Sequence, residues 1–315
     1  MDSGNSWQSG GGTQSWDARR EGRPFSPPEI LPPLDADEPA HPSDWAYHPQ
    51  PTAEPVKPRK HQLLRWSAAP ATYLLVFANV LMFLLMLGSG AQSLSPGGTS
   101  TPRELMLWGA KSSATVLIDH EWWRLLTAMF IHAGILHLAT NMWCLWNLGL
   151  LGEPMLGPLG MICVYTLSGA AGNLLGLAAD ALVSTVQGTA LSQVPSVGAS
   201  GAVFGIAGLL IIFLSKARLP IPAPEVARLR RSVIYFAALN FILGAGISLA
   251  PTEMKVDNMA HLGGFAMGLA LGVPLAPKLA AGRTKYFRRQ TVVFASSALI
   301  LAAAAFGVAS FWMGS

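Results

Sequence analysis

An all-α polytopic membrane bundle of about seven transmembrane helices, preceded by a disordered tail, is the fold class the sequence predicts. Three observations predict it. Of 315 residues, 51% are apolar and 12% charged, and mean hydropathy is +0.40. Apolar runs recur at lengths of ~18 residues or more, enough for a helix to cross a bilayer. The prolines of the first 65 residues stand apart from those runs as a separate polar segment. The net charge of +4 comes with no basic stripe carrying interleaved aromatics, so nucleic acid is not an expected partner.

Residues 1–65 form the expected tail, with eleven prolines between Pro24 and Pro58 and abundant Gly and Ser. Such a segment cannot bury enough apolar surface to offset its ordering entropy. Its nine acidic residues argue against an organellar transit peptide, and it has no apolar core of signal-peptide length. Trp7, Trp16 and Trp45 offer anchors for a partner that the sequence does not name.

Seven apolar runs follow, near 70–87, 128–151, 158–179, 197–214, 232–249, 259–275 and 292–313. Cytoplasmic loops of membrane proteins are enriched in Lys and Arg. With the tail inside, the inner segments hold seventeen of these residues; the outer loops hold four, Arg103, Lys111, Arg124 and Lys255. The expected topology is therefore a cytoplasmic N-terminus and an extracytoplasmic C-terminus, in a multi-pass protein of the cell membrane. The Ala- and Gly-rich core suggests a bacterial source. Cys144 and Cys163 lie inside apolar runs and read as small buried hydrophobes.

The connection 88–127 carries Leu105, Met106, Trp108, Trp122 and Trp123, a composition suited to lying in the membrane interface. The second run contains His132, His137 and Asn141. Ionisable groups in a bilayer are expensive and mark functional candidates. His137 and Asn141 are four residues apart on one helical face, so their N–H groups would point to one place. His132, about 140° round the helix from His137, is expected to do something else. Asp257, one turn before His261, could stand as a third member beside it, and is expected to reach the outer interface.

The fourth run opens Gly198-Ala199-Ser200-Gly201, and the sixth opens Ala260-His261-Leu262-Gly263-Gly264. Glycines at 201, 205 and 208 and at 264 and 268 recur at helical spacing, so these two helices can approach closely. Under the topology above, Ser200 and His261 share the outer leaflet. The polar segment 184–196 before Ser200 is expected to dip inward and admit water. Singly, each motif has a plainer reading: a membrane histidine is as often a structural hydrogen bonder, and a lone Gly-X-Ser-Gly is most often packing. Metal binding by His132, His137 and His261 is weakly supported, because no carboxylate lies at ligand spacing, and no metal or other cofactor is expected.

Together the motifs resemble the rhomboid intramembrane serine proteases. Trp123-Arg124, His132…His137…Asn141, Gly198-Ala199-Ser200-Gly201 and Ala260-His261-Leu262-Gly263-Gly264…Gly268 stand in the family's order and spacing. The resemblance covers roughly 65–280. Beside the tail read from composition at 1–65, it implies a six-helix core at 66–280, and at 281–315 a basic inner loop with an additional seventh helix.

The resemblance also implies Ser200 as nucleophile and His261 as its base, working as a dyad. It makes His137 and Asn141 oxyanion donors together with the Ser200 N–H. His132, Trp123, Arg124, Glu153 and the small residues Gly198, Gly201 and Gly264 match structural positions, and Phe204 matches an aromatic ring set against the histidine. Expected substrates are single-span transmembrane proteins entering from the lipid bilayer. Two alternatives are a catalytically silent relative that binds membrane clients, which the retained Ser and His disfavour, and a transporter, which the lack of repeated halves disfavours.

Overall fold

A computed structural model describes residues 69–95, 97–216, 222–249, 257–277 and 282–314. The tail and its three tryptophans lie outside the described residues. The described chain is helical, with one isolated bridge between Lys111 and Ser196. It is a polytopic membrane helical bundle.

Helix α1 (Pro70–Gly88) starts on a proline, which fixes φ where no intrahelical N–H bond is needed. Its unpaired first N–H groups find a distant carboxylate. Glu153 is 1% exposed and accepts from the Ala71 N–H at 2.8 Å, the Thr72 N–H at 2.7 Å and the Thr72 hydroxyl at 2.7 Å. A negative charge on a helix N-terminus meets both the orphan donors and the positive end of the dipole. Glu153 thus ties the start of α1 to the end of the helix that carries it.

Three short helices follow, α2 (Pro102–Leu107), α3 (Ser113–Leu117) and α4 (Arg124–Thr127). The first two begin with reciprocal capping boxes, Thr101 with Glu104 and Ser112 with Thr115. Arg124 staples this region, donating to the Met106 and Ala110 carbonyls at 2.7 and 2.8 Å and to Glu121 at 2.6 Å.

The second apolar run, expected as one helix over 128–151, is broken. Helix α4 runs into a single 3-10 turn, Ala128–Phe130; Ile131 is extended, and α5 (Ile135–Leu156) leaves at 94° to the preceding segment. A buried Ile131 and a fully extended Gly134 mark the turn, which apolar composition alone could not reveal. Helix α5 ends at Gly157, whose φ of +78° favours glycine, and Pro158 starts α6 (Pro158–Gln187) directly.

Helix α6 reaches Gln187, two turns beyond the expected end, because Gly188 in the left-handed region stops it rather than the onset of polar residues. The expected inward dip at 184–196 is therefore not a loop throughout. Residues 184–187 continue α6, and the remainder is strapped down through Ser196 to Lys111 and through Ser192 to Ala114 and Asp180.

Helix α7 (Ser200–Lys216) is buried on nearly every side from Gly201 to Leu210, the pattern of a central helix. Helix α8 (Ala223–Leu249) packs on it through Phe236 and Phe241. Helix α9 (Asn258–Leu275) packs its small face on α7 and α6. Helix α10 (Arg283–Gly314) docks at its start, where Tyr286, Arg289 and Gln290 donate to the carbonyls of Met155, Leu275, Ala276 and Leu156 that end α5 and α9.

By length and apolarity α1, α6 and α10 can each cross a membrane, and α4 with α5 forms a bent fourth candidate. Helix α7 is apolar but only 17 residues long. Helices α8 and α9 run 27 and 18 residues.

Candidate functional site

The site forms where the N-terminal ends of α7 and α9 meet. Their contact is backbone on backbone. A Cβ at Gly264 would land on the Gly201 carbonyl, and one at Gly268 on the Gly205 carbonyl. A Cβ at Gly172 of α6 would land on the Ala260 carbonyl, so three helices converge at the start of α9. Small residues permit this approach, which in lipid is driven by packing rather than by hydrophobic burial.

Ser200 is the first residue of α7, and His261 lies in the first turn of α9. His261 Nε2 stands 2.8 Å from Ser200 Oγ. The histidine is buried at 7% exposure, while Ser200 keeps a partly open face. Phe204, one turn along α7, stacks on the His261 ring with centroids 4.5 Å apart and planes 20° apart. No hydrogen-bond partner among the described residues reaches His261 Nδ1, so stacking rather than a third polar group fixes the ring.

Gly198 has φ +117°, a conformation suited to glycine, and its N–H donates to the Ala128 carbonyl at 2.9 Å. A Cβ there would stand 2.8 Å from His137 Nε2 and 3.9 Å from Asn141 Nδ2. The two α5 side chains therefore converge on the backbone just before Ser200. Asn141 Nδ2 also donates one hydrogen to the His137 carbonyl at 2.9 Å, leaving its other N–H for a ligand. The Ser200 N–H lies in the first turn of α7, where helical geometry supplies no acceptor.

His132 is not on the α5 helix, so its expected angular offset from His137 does not apply. It lies in the break before α5, fully buried, with its ring 5.1 Å from that of His137 in an edge-on arrangement. Its Nε2 accepts from the Ala199 N–H at 3.5 Å, and its carbonyl accepts from the Gln92 amide. His132 therefore buttresses the residue before Ser200. Trp123 and Arg124 stand away from the serine: Trp123 is 48% exposed and lies under the Arg124 guanidinium at 4.5 Å.

Asp257 lies just before α9 and is partly buried rather than free in solvent. Its carboxylate caps α9 by accepting from the Ala260 N–H at 2.9 Å, and it also accepts from Ser196 Oγ at 2.9 Å and Lys111 Nζ at 3.3 Å. Burial alone would raise this carboxyl, but the Lys111 ammonium and the three hydrogen bonds outweigh it and hold the group below its ordinary value. Lys111 is a loop charge in the sequence but only 3% exposed, and its partner lies 146 residues away, beyond any local pattern. Among the described residues, no three His, Cys, Asp or Glu side chains gather as metal ligands would.

The arrangement provides a hydroxyl bonded to an imidazole, flanked by N–H donors from α5 and from a helix start. That is the equipment for nucleophilic attack on a carbonyl and stabilisation of the resulting oxyanion. A family model of the rhomboid domain matches residues 119–278. Rhomboid protease GluP of Bacillus subtilis (strain 168) is 32% identical over 210 residues, covering 65% of this chain and 35% of that protein. RHOMBOID-like protein 2 of Arabidopsis thaliana is 34% identical over 216 residues, covering 65% of this chain and 61% of the relative. The chain thus spans less than two thirds of the length of either relative.

Proposed function

Because the chain belongs to the rhomboid family, we propose that it is an intramembrane serine endopeptidase that cleaves transmembrane proteins through Ser200 and His261. The observation that carries this reading is the 2.8 Å hydrogen bond between Ser200 Oγ and His261 Nε2. The name of the Bacillus relative, a rhomboid protease, supports the same reaction class.

In the proposed reaction, the Ser200 hydroxyl proton passes to neutral His261 Nε2 as Oγ attacks the scissile carbonyl carbon. The carbonyl oxygen becomes an oxyanion, met by His137, by the free N–H of Asn141 and by the Ser200 N–H at the start of α7. Losing one such donor typically costs about 3 kcal/mol of transition-state stabilisation. Collapse of the adduct breaks the C–N bond; the leaving amine takes the proton from His261, and an acyl ester remains on Ser200. Water then attacks that ester, giving its proton to His261, and the serine is released.

Phe204 holds the imidazole by its face, so two catalytic groups suffice where hydrolases with a carboxylate use three. Single-span proteins reaching the site sideways from the lipid bilayer are the proposed substrates. The proposed setting is a bacterial cell membrane, with the N-terminus cytoplasmic and the C-terminus extracytoplasmic, as the count of Lys and Arg in the loops supports. On this reading 66–280 is the catalytic core, 1–65 an appended tail, and 281–315 an added helix with its basic loop.

The test is cleavage of a single-span substrate co-reconstituted with the enzyme in lipid vesicles. Wild type cuts, whereas Ser200→Ala and His261→Ala do not. A product formed equally by Ser200→Ala rejects the assignment of the nucleophile.

A further inference from the structure

The two halves of the serine–histidine pair are each preceded, four residues earlier, by a group tied to one buried lysine. Ser196, four residues before Ser200, pairs its backbone with Lys111 in both directions: the Lys111 N–H donates to the Ser196 carbonyl at 3.2 Å, and the Ser196 N–H returns to the Lys111 carbonyl at 2.7 Å. Asp257, four residues before His261, takes the Lys111 ammonium at 3.3 Å and the Ser196 hydroxyl at 2.9 Å. The same ammonium donates to the Asn173 carbonyl of α6 at 3.1 Å. Asp257 then opens α9 through the Ala260 N–H, and its own carbonyl accepts from the His261 N–H at 3.2 Å.

We propose that Lys111, Asp257 and Ser196 form a clasp that positions Ser200 against His261, with Lys111 and Asp257 as positioning residues for the reaction. This rests on the reading of Ser200 and His261 given above. The cap on α9 sets where that helix begins, and the Ser196 pairing sets where the strap before α7 ends. The Lys111 ammonium joins those two settings to α6, through Asp257 on one side and the Asn173 carbonyl on the other.

A buried ion pair adds little net stability over apolar groups of equal shape, because desolvation offsets its Coulomb attraction. Its effect here is geometric. The pair lies directly against α6: a Cβ on Gly176 would stand 2.7 Å from Asp257 Oδ2 and 3.1 Å from Lys111 Nζ. The contacts of Lys111 are with Asp257, Ser196 and Asn173.

The experiment compares the rate of Ser200 labelling by a fluorophosphonate probe, and kcat and KM on the single-span substrate, between wild type and Lys111→Met/Asp257→Asn. The asparagine keeps the α9 cap, and methionine keeps the lysine stem, so both charges leave without an unpaired ion. The expected result is a thermal midpoint near that of wild type, labelling and kcat lower by about 10- to 100-fold, and KM little changed. A displacement of about 1 Å at a reacting pair has an effect of that order.

Labelling at the wild-type rate in the double variant overturns the clasp. Should that variant fail to fold, Asp257→Asn and Lys111→Arg carry the test: the first must slow labelling, and the second, which keeps the charge, must stay nearer the wild-type rate. Slowing by Asp257→Ala alone, with Asp257→Asn like wild type, assigns the effect to the helix cap and overturns the ion pair's part. A wild type that takes no label on Ser200 rejects the nucleophile itself, an outcome separate from these.

Discussion

At the scale of single residues, the His261 ring is stacked on an aromatic face rather than bonded to a carboxylate. Phe204 faces His261 as a flat wall, with Phe236 and Phe241 of α8 behind it. Phe204→Leu keeps the volume and loses the flat face. Its kcat should fall about ten-fold with KM little changed, measured on the reconstituted substrate. Glu153 acts at the far end of α5, where Glu153→Ala would leave two backbone N–H groups of α1 unpaired. That variant should lose about 3 kcal/mol of stability, read by thermal or denaturant unfolding in detergent.

Asp257 gives a pH signature. Its carboxyl is held below the ordinary 3.8, so the stability it contributes is fully present above that value and is lost as pH falls through the folded one. Lys111 is the charged group facing it. Thermal midpoints should decline below pH ~4 in wild type and decline less in Asp257→Asn. Ser200 and His261 were legible because glycines and alanines isolate each polar group in an apolar run. The contact between Asp257 and Lys111 was not, since only folding brings residues 146 apart together.

At the scale of elements, the decisive interface is α7 against α9. Gly264→Ala would drive a methyl into the Gly201 carbonyl, a backbone atom that cannot rotate away. It should cost about 3 kcal/mol of stability and abolish Ser200 labelling, because the two helix starts would separate. Gly160→Ala is the contrast: its new methyl meets the Gln290 amide at 2.9 Å, the end of a flexible side chain, and Leu156 Cβ at 3.2 Å. It should therefore be the milder of the two by the same measurements. Glycine spacing made this interface readable in the sequence. The break at residues 131–134 was not readable, because Ile131 and Ala133 continue the apolar run without any breaker stronger than Gly134. That break moves His132 off the helix and under Ala199, which the helical-wheel placement missed.

At the scale of the whole molecule, a membrane bundle was legible from composition, since half the residues are apolar and few are charged. The placement of spans was less so. The sequence pattern ended the third run near residue 179, whereas α6 extends to Gln187 before a glycine stops it. Helix α10 is joined to the core at its first turns, where side chains satisfy the last carbonyls of α5 and α9. Gln290→Leu removes one of those donors and leaves the Leu156 carbonyl without it. That should lower the thermal midpoint by a few degrees, equivalent to about 1 kcal/mol, while sparing Ser200 labelling, because the site lies at the other end of α9.

The central claim is that Ser200 is a nucleophile activated by His261. The most direct measurement is peptide mapping by mass spectrometry after treating the membrane-embedded protein with a fluorophosphonate. The predicted result is a single adduct, on Ser200, present in wild type and absent in His261→Ala. No adduct in wild type, or an adduct on another serine that persists in His261→Ala, would contradict it.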